Sequence, residues 1–145
     1  MREAGAGKDW QEMSVLLTDD AGIETLNRSY LGRPEVTDVL SFRYDPLPGE
    51  EGGPSAEVIV NVQRAVSEGV RRRNLPRQKG TWGPSHELAL YLAHGCNHLT
   101  GLNDDSTAGR RRMKRREIAW VGQVEKDGLL EGLVEEEDAG SGNHR

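Results

Sequence analysis

The sequence predicts one α/β or α+β domain, because short runs of strand type alternate with helical periodicities and the chain closes on two longer helical stretches. At 145 residues, there is room for one sizeable core and little for two. No run approaches the roughly 18 apolar residues of a membrane span. The opening MREAGAGKDWQEM lacks the apolar stretch of a signal peptide. A lone cysteine, Cys96, excludes an internal disulfide framework and suits a reducing compartment. A soluble cytoplasmic protein without membrane association is therefore expected.

Taken in order, residues 1–12 are expected to be flexible, 13–126 to form the domain, and 127–145 to be an acidic, disordered tail. Val15-Leu16-Leu17 reads as a strand, and Thr18-Asp19-Asp20 as a helix start. Ile23, Leu26, Asn27, Tyr30 and Leu31 follow at helical spacing until Gly32-Arg33-Pro34 stops them. Residues 36–42 form a second strand candidate, bounded by a loop from Asp45 to Pro54 rich in glycine and proline. Glu57 to Val60 is a third, followed by a helix over 63–73 with Ala65, Val66 and Val70 inward. Residues 74–84 read as a loop, and helices are expected over 85–100 and 106–126.

The net charge of −5 conceals an asymmetry. Residues 125–138 hold seven acidic side chains against Lys126 alone, so the rest of the chain is nearly neutral. Within it, Arg64, Arg71, Arg72, Arg73, Arg77 and Lys79 form one basic group, and six of the seven residues 110–116 are cations. Such densities bind phosphate backbones. Charge alone fits a solvated helix face equally well.

Chemistry concentrates between Ser85 and Asp105. Ser85 is placed as the N-cap of this helix and Gly101 as its stop. At about 100° per residue, Leu88, Leu92, Gly95 and Leu99 share one sector and form the core face. His94 and His98 lie one turn apart on the adjoining face. Two imidazoles four residues apart on a helix can address one metal ion. Past Gly101 the chain can return Asp104 or Asp105 to the same point. Two histidines and one carboxylate make a catalytic zinc set, leaving a fourth position for water. Gly95 stands where HExxH peptidases carry their general base, which argues against that chemistry. His86 lies too far from His94 to serve as the base, and Glu87, two turns from His94, reads as structural. Cys96 reads as a buried thiol. Trp82, Tyr30 and Tyr44 are candidates for base stacking, whereas Trp120 shares the spacing of Met113, Val121 and Val124 and reads as core. Thr37 and Ser41 read as strand-edge residues beside the site.

The stretch His94-Gly95-Cys96-Asn97-His98-Leu99-Thr100-Gly101-Leu102-Asn103-Asp104 resembles the HGxLHLxGYDH signature of the YbeY family of bacterial endoribonucleases, with Asp104 at its usual third histidine. Leu26-Asn27-Arg28-Ser29-Tyr30 followed by Thr37-Asp38-Val39-Leu40-Ser41-Phe42 is similar to that family's LNxxYR…PT(N/D)VLSF, and Glu57 to Val60 to its GDIxI strand. Met113 and Glu117 fit its last helix, so the resemblance spans about residues 13–125. There are departures: Leu31 replaces an arginine associated with RNA contact, Arg43 a proline, Ala56-Glu57 a Gly-Asp pair, Asn97 an apolar residue, and Leu102-Asn103 a Tyr-Asp pair.

The resemblance implies an α+β fold, a small mixed β-sheet packed by helices with a metal site at the HGxxH helix. It implies one Zn²⁺ per chain held by His94, His98 and Asp104, which act through a metal-bound water. The implied activity is single-strand-specific endoribonuclease action in rRNA maturation, at the 3′ end of small-subunit rRNA, and in ribosome quality control. Expected partners are single-stranded RNA, rRNA and the small ribosomal subunit. Arg33, Arg43, Arg71, Arg72, Arg73 and Arg110 are the expected RNA contacts. The nucleophile, metal hydroxide or the RNA 2′-hydroxyl, and the general base stay open. The alternative is an RNA- or ribosome-binding assembly factor with a structural metal and little hydrolytic activity.

Overall fold

The computed structural model describes residues 10–75, 82–100 and 106–135. In order, the elements are β1 (Glu12–Thr18), α1 (Asp20–Leu31), β2 (Val39–Tyr44), β3 (Ser55–Asn61), α2 (Val62–Arg73), α3 (Pro84–Leu99) and α4 (Thr107–Lys126). The strands form one mixed sheet in the order β1-β3-β2, with β1 parallel and β2 antiparallel to β3. This is the expected α+β class. No helix among the described residues is long and apolar enough to cross a membrane.

β3 is the central strand, and its alternation assigns the two faces of the sheet. Ala56, Val58 and Val60 pack with Ala65, Leu88, Tyr91 and Leu99 on one side. Ile59 packs with Ile23 and Leu40 on the other. α1 begins at Asp19, whose side chain accepts the Gly22 N–H, and ends at Gly32, which takes the left-handed conformation (φ 68°) that glycine adopts without cost. At the end of β3, buried Asn61 accepts the Arg64 N–H at 3.0 Å and so caps α2. Its Nδ2 donates to Asp20 Oδ1 at 2.6 Å and to the Thr37 carbonyl at 3.1 Å, while its backbone N–H donates to the Asp38 carbonyl at 2.8 Å. One residue thus anchors the backbones of Asp38, through its own N–H, and of Arg64, through its side chain, and both reach the site.

Several expectations shift. α3 starts at Gly83 and Pro84 with no side-chain cap, so Ser85 is not the N-cap; its hydroxyl instead accepts the Val134 N–H at 3.0 Å. Gly101, the expected stop, lies outside the described residues. On α2, Ala65 and Gly69 are buried while Val66 and Val70 stay 37% and 36% exposed. The cause is backbone contact between α2 and α3: a Cβ on Gly69 would overlap Pro84 N and come within 2.6 Å of the Gly83 carbonyl carbon. The helix therefore turns its glycine, not its valines, to its neighbour. Trp120 is 47% exposed rather than core, because α4 meets α3 along Glu117 and Val121 and Trp120 lies off that line. β2 occupies 39–44 rather than 36–42.

The ends differ as well. Expected flexibility over residues 1–9 falls outside the described residues. Trp10 packs against the core, and Gln11 N–H donates to the Pro54 carbonyl at 2.8 Å. Beyond α4, Leu130 is buried against Ala89, Leu90 and Val121, so the chain stays attached to the domain past residue 126. Of the expected disordered tail, residues 136–145 lie outside the described residues.

Gly69→Val should place a branched side chain inside the Pro84 backbone and lower stability by about 2–4 kcal/mol. Val66→Ala, on the exposed face, should change it by less than about 0.5 kcal/mol. Urea unfolding of the two variants separates the packing described here from the valine-inward helix.

Candidate metal centre and basic cleft

α3 places His94 and His98 on adjacent turns with their Nε2 atoms 3.0 Å apart. The rings meet edge to face, centroids 4.5 Å apart at 89°. This helix can lie so close to the sheet because residue 95 is glycine: a Cβ there would sit 3.0 Å from both Val39 Cγ2 and Val58 Cγ1. The position that holds the general base in HExxH enzymes is here a packing contact.

Behind the pair, α4 presents Glu117, 3% exposed. Its Oε2 pairs with His94 Nδ1 at 3.0 Å and accepts the Asn97 Nδ2–H at 2.9 Å. Burial raises the Glu117 pKa, but the hydrogen bonds from His94 and Asn97 outweigh it and hold the carboxyl below its ordinary value. The same hydrogen bond raises the pKa of His94 against the opposing effect of burial. In neutral His94 the proton therefore belongs on Nδ1, facing Glu117, and the Nε2 lone pair faces His98.

Two converging imidazole nitrogens, one backed by a buried carboxylate, fit a divalent metal: zinc-binding histidines usually donate their second ring N–H in this way. Asp104, the expected third ligand, lies outside the described residues. Among the described residues no three donor side chains gather at one point. Cys96 is half-buried, and burial raises its thiol pKa, which disfavours a thiolate ligand.

His94 opens onto a cleft of about 460 Å³. Arg64 and Arg72 from α2 and Arg110 and Lys114 from α4 line it, with Asp38, Glu68, Tyr91 and Glu117. Of its carboxylates, Glu117 is engaged by His94 and Asn97, and Glu68 pairs with Arg71 at 2.9 Å. Four cations thus face a space large enough for a phosphate and its flanking sugar.

Of the arginines expected from sequence, Arg72 and Arg110 line this cleft and the other four do not. Arg71 pairs with Glu68, and Arg73 Nε donates to the Trp82 carbonyl at 3.2 Å. Arg43 pairs with Asp45 at 2.9 Å and lies over the Trp10 ring, 5.2 Å from its centroid. Arg33 is exposed beyond the end of α1. Sequence reasoning placed Arg64 and Lys114 in its basic groups without choosing them as contacts, and it missed Glu117 as the partner of His94. A helical-face reading of the basic run finds part of this, since Arg110, Lys114 and Glu117 recur at i, i+4 and i+7. Glu87, read as structural, is fully buried with Trp82 Nε1 donating to it at 3.0 Å, and His86 pairs with Glu125 at 2.8 Å.

Fold and site together define a small α+β protein with a helix-borne candidate metal centre beside a cleft lined by four cations. The family model for endoribonuclease YbeY matches residues 1–125, and the chain belongs to the YbeY family, a family of endoribonucleases. It is 34% identical to the endoribonuclease YbeY of Anaeromyxobacter dehalogenans over 92% of this chain and 67% of that one. It is 37% identical to the endoribonuclease YbeY of Moorella thermoacetica over 78% of this chain and 72% of that one. The solution structure of TM1509 from Thermotoga maritima shares the fold, with a TM-score of 0.50 and 22% identity over 88% of this chain and 77% of that one.

Glu117→Gln removes the charge behind His94 while keeping its size. Zinc affinity, measured by competition with a chelating dye, should fall about 10–100-fold. Unchanged affinity would detach Glu117 from the metal centre.

Proposed function

We propose that this chain is a zinc-dependent, single-strand-specific endoribonuclease of rRNA maturation, acting at the 3′ end of small-subunit rRNA and in ribosome quality control. Its partners on this reading are single-stranded RNA, rRNA and the small ribosomal subunit in the cytoplasm. Family membership supports RNA cleavage. The observation that carries the metal-dependent reading is the 3.0 Å approach of His94 and His98 Nε2 at the edge of a cleft walled by four cations.

His94, His98 and Asp104 would hold the ion. When bound there, the ion would supply Lewis acidity toward a phosphoryl oxygen and would lower the pKa of a water toward about 7. Glu117 keeps the Nδ1 proton of His94 in place and so keeps the Nε2 lone pair aimed at the site. Arg72 and Arg110, with Arg64 and Lys114, bind the scissile phosphate and offset the charge that develops on it in the transition state. Tyr91 keeps its proton well above neutral pH, because burial and the neighbouring Glu87 charge both raise its pKa, and so stands in the wall as a neutral hydroxyl. The cleft admits an unpaired strand, whose phosphates and bases can be turned separately toward the wall.

His98→Ala should abolish zinc binding and reduce cleavage of a single-stranded oligoribonucleotide by more than about 100-fold. Metal analysis and a gel-based cleavage assay on the same preparation test this together. Cleavage at the wild-type rate would reject the site. Wild-type protein that binds zinc and RNA without cutting would support the assembly-factor alternative.

A further inference from the structure

Glu87 lies two turns before His94 on α3, and its side chain is 0% exposed. A carboxylate so placed persists only beside a cation and hydrogen-bond donors. Its Oε1 receives the Trp82 Nε1–H at 3.0 Å and lies 3.0 Å from Arg72 Nε. Neither its Oε2 nor Arg72 Nε has a hydrogen-bond partner among the described residues, so Glu87 and Arg72 are held together by charge at 3.0 Å rather than by a directed hydrogen bond. Arg72 itself is 35% exposed and lines both the cleft at His94 and a smaller hollow bounded by Trp82 and Ile118. Its two neighbours in the Arg71–Arg73 run are tied elsewhere, to Glu68 and to the Trp82 carbonyl.

Stability alone is a weak reason for such a pair, since apolar residues of similar volume often replace a buried ion pair without loss. Arginine, however, carries donors on more than one edge of a rigid plane. A buried carboxylate charge beside one edge holds the guanidinium at this wall and leaves the other nitrogens for a second anion. We propose that Glu87 is a positioning residue: its buried charge holds Arg72 in an ion pair so that the guanidinium meets a phosphate of the bound RNA strand at the cleft wall. This rests on the RNA-cleaving reading above, and it makes Glu87 part of substrate recognition without contact to the reacting atoms.

The test is binding of a fluorescein-labelled single-stranded oligoribonucleotide to the full chain at several salt concentrations. For single strands each phosphate contact contributes about 0.7 to the slope of log affinity against log salt. Arg72→Ala should lower that slope by about 0.7 and weaken binding several-fold. Glu87→Gln, which keeps an acceptor for Trp82 but releases the guanidinium, should lower it equally, and the double variant should lose nothing further. A wild-type slope or tighter binding in Glu87→Gln overturns the assignment, as does an additive double variant. Should Glu87→Gln fail to fold, Arg72→Lys decides: its ammonium ends about where the guanidinium carbon lies and lacks the nitrogens beyond it, so beside Glu87 it should fall short of the phosphate and behave nearly as Arg72→Ala, and full rescue by lysine overturns the assignment. Wild-type protein that binds no RNA overturns the underlying reading instead, a result distinct from failure of the assignment alone.

Discussion

The site depends on one buried carboxylate, Glu117, joining α4 to α3. Its hydrogen bonds to His94 and Asn97 draw together two helices that meet elsewhere through a small apolar cluster around Ala89, Leu90 and Val121 and through the His86–Glu125 pair. A carboxylate this deep is unfavourable unless it is well bonded, so His94 and Asn97 are required partners. The same contact orients the imidazole. It also brings Arg110 and Lys114, two turns and one turn before Glu117, to face α2 across the cleft. One interaction thereby sets ring orientation, tautomer and the charge of one wall.

Two glycines make this geometry accessible. Gly95 seats α3 on Val39 and Val58 of the sheet, and Gly69 lets the start of α3 rest on the backbone of α2. α3 is held from both sides, so its last two turns present the histidines from a rigid base, as preorganised sites require. Arg64 and Arg72 approach from the α2 side, with the start of that helix anchored by Asn61 and Arg72 paired with buried Glu87. Each cleft wall is thus tied to the core through a buried polar residue.

Much of this was legible in the sequence, for identifiable reasons. The i, i+4 spacing of His94 and His98 is local, and the structure keeps it. The core face of Leu88, Gly95 and Leu99 is likewise a helical period, with Leu92 packed at its margin. The strands were visible because β3 is buried on both faces and reads as a short apolar run. What sequence could not give depends on which element lies opposite. Val66 and Val70 look like a core face until Gly69 is seen against Pro84. Trp120 looks like core until α4 is seen to touch α3 along Glu117 and Val121. Ser85 has the chemistry of an N-cap, yet Val134 takes its hydroxyl. Glu117 gives no local sign of its histidine partner, because 23 residues separate them.

X-ray absorption at the zinc edge of the zinc-loaded full chain reads the proposed metal centre itself. About one zinc per chain is expected, in a shell of nitrogen and oxygen only, at about 2.0–2.2 Å, with the scattering pattern of two imidazoles. A sulfur neighbour at about 2.3 Å would bring Cys96 into the shell and contradict it. Failure of the folded protein to take up zinc would contradict it as well.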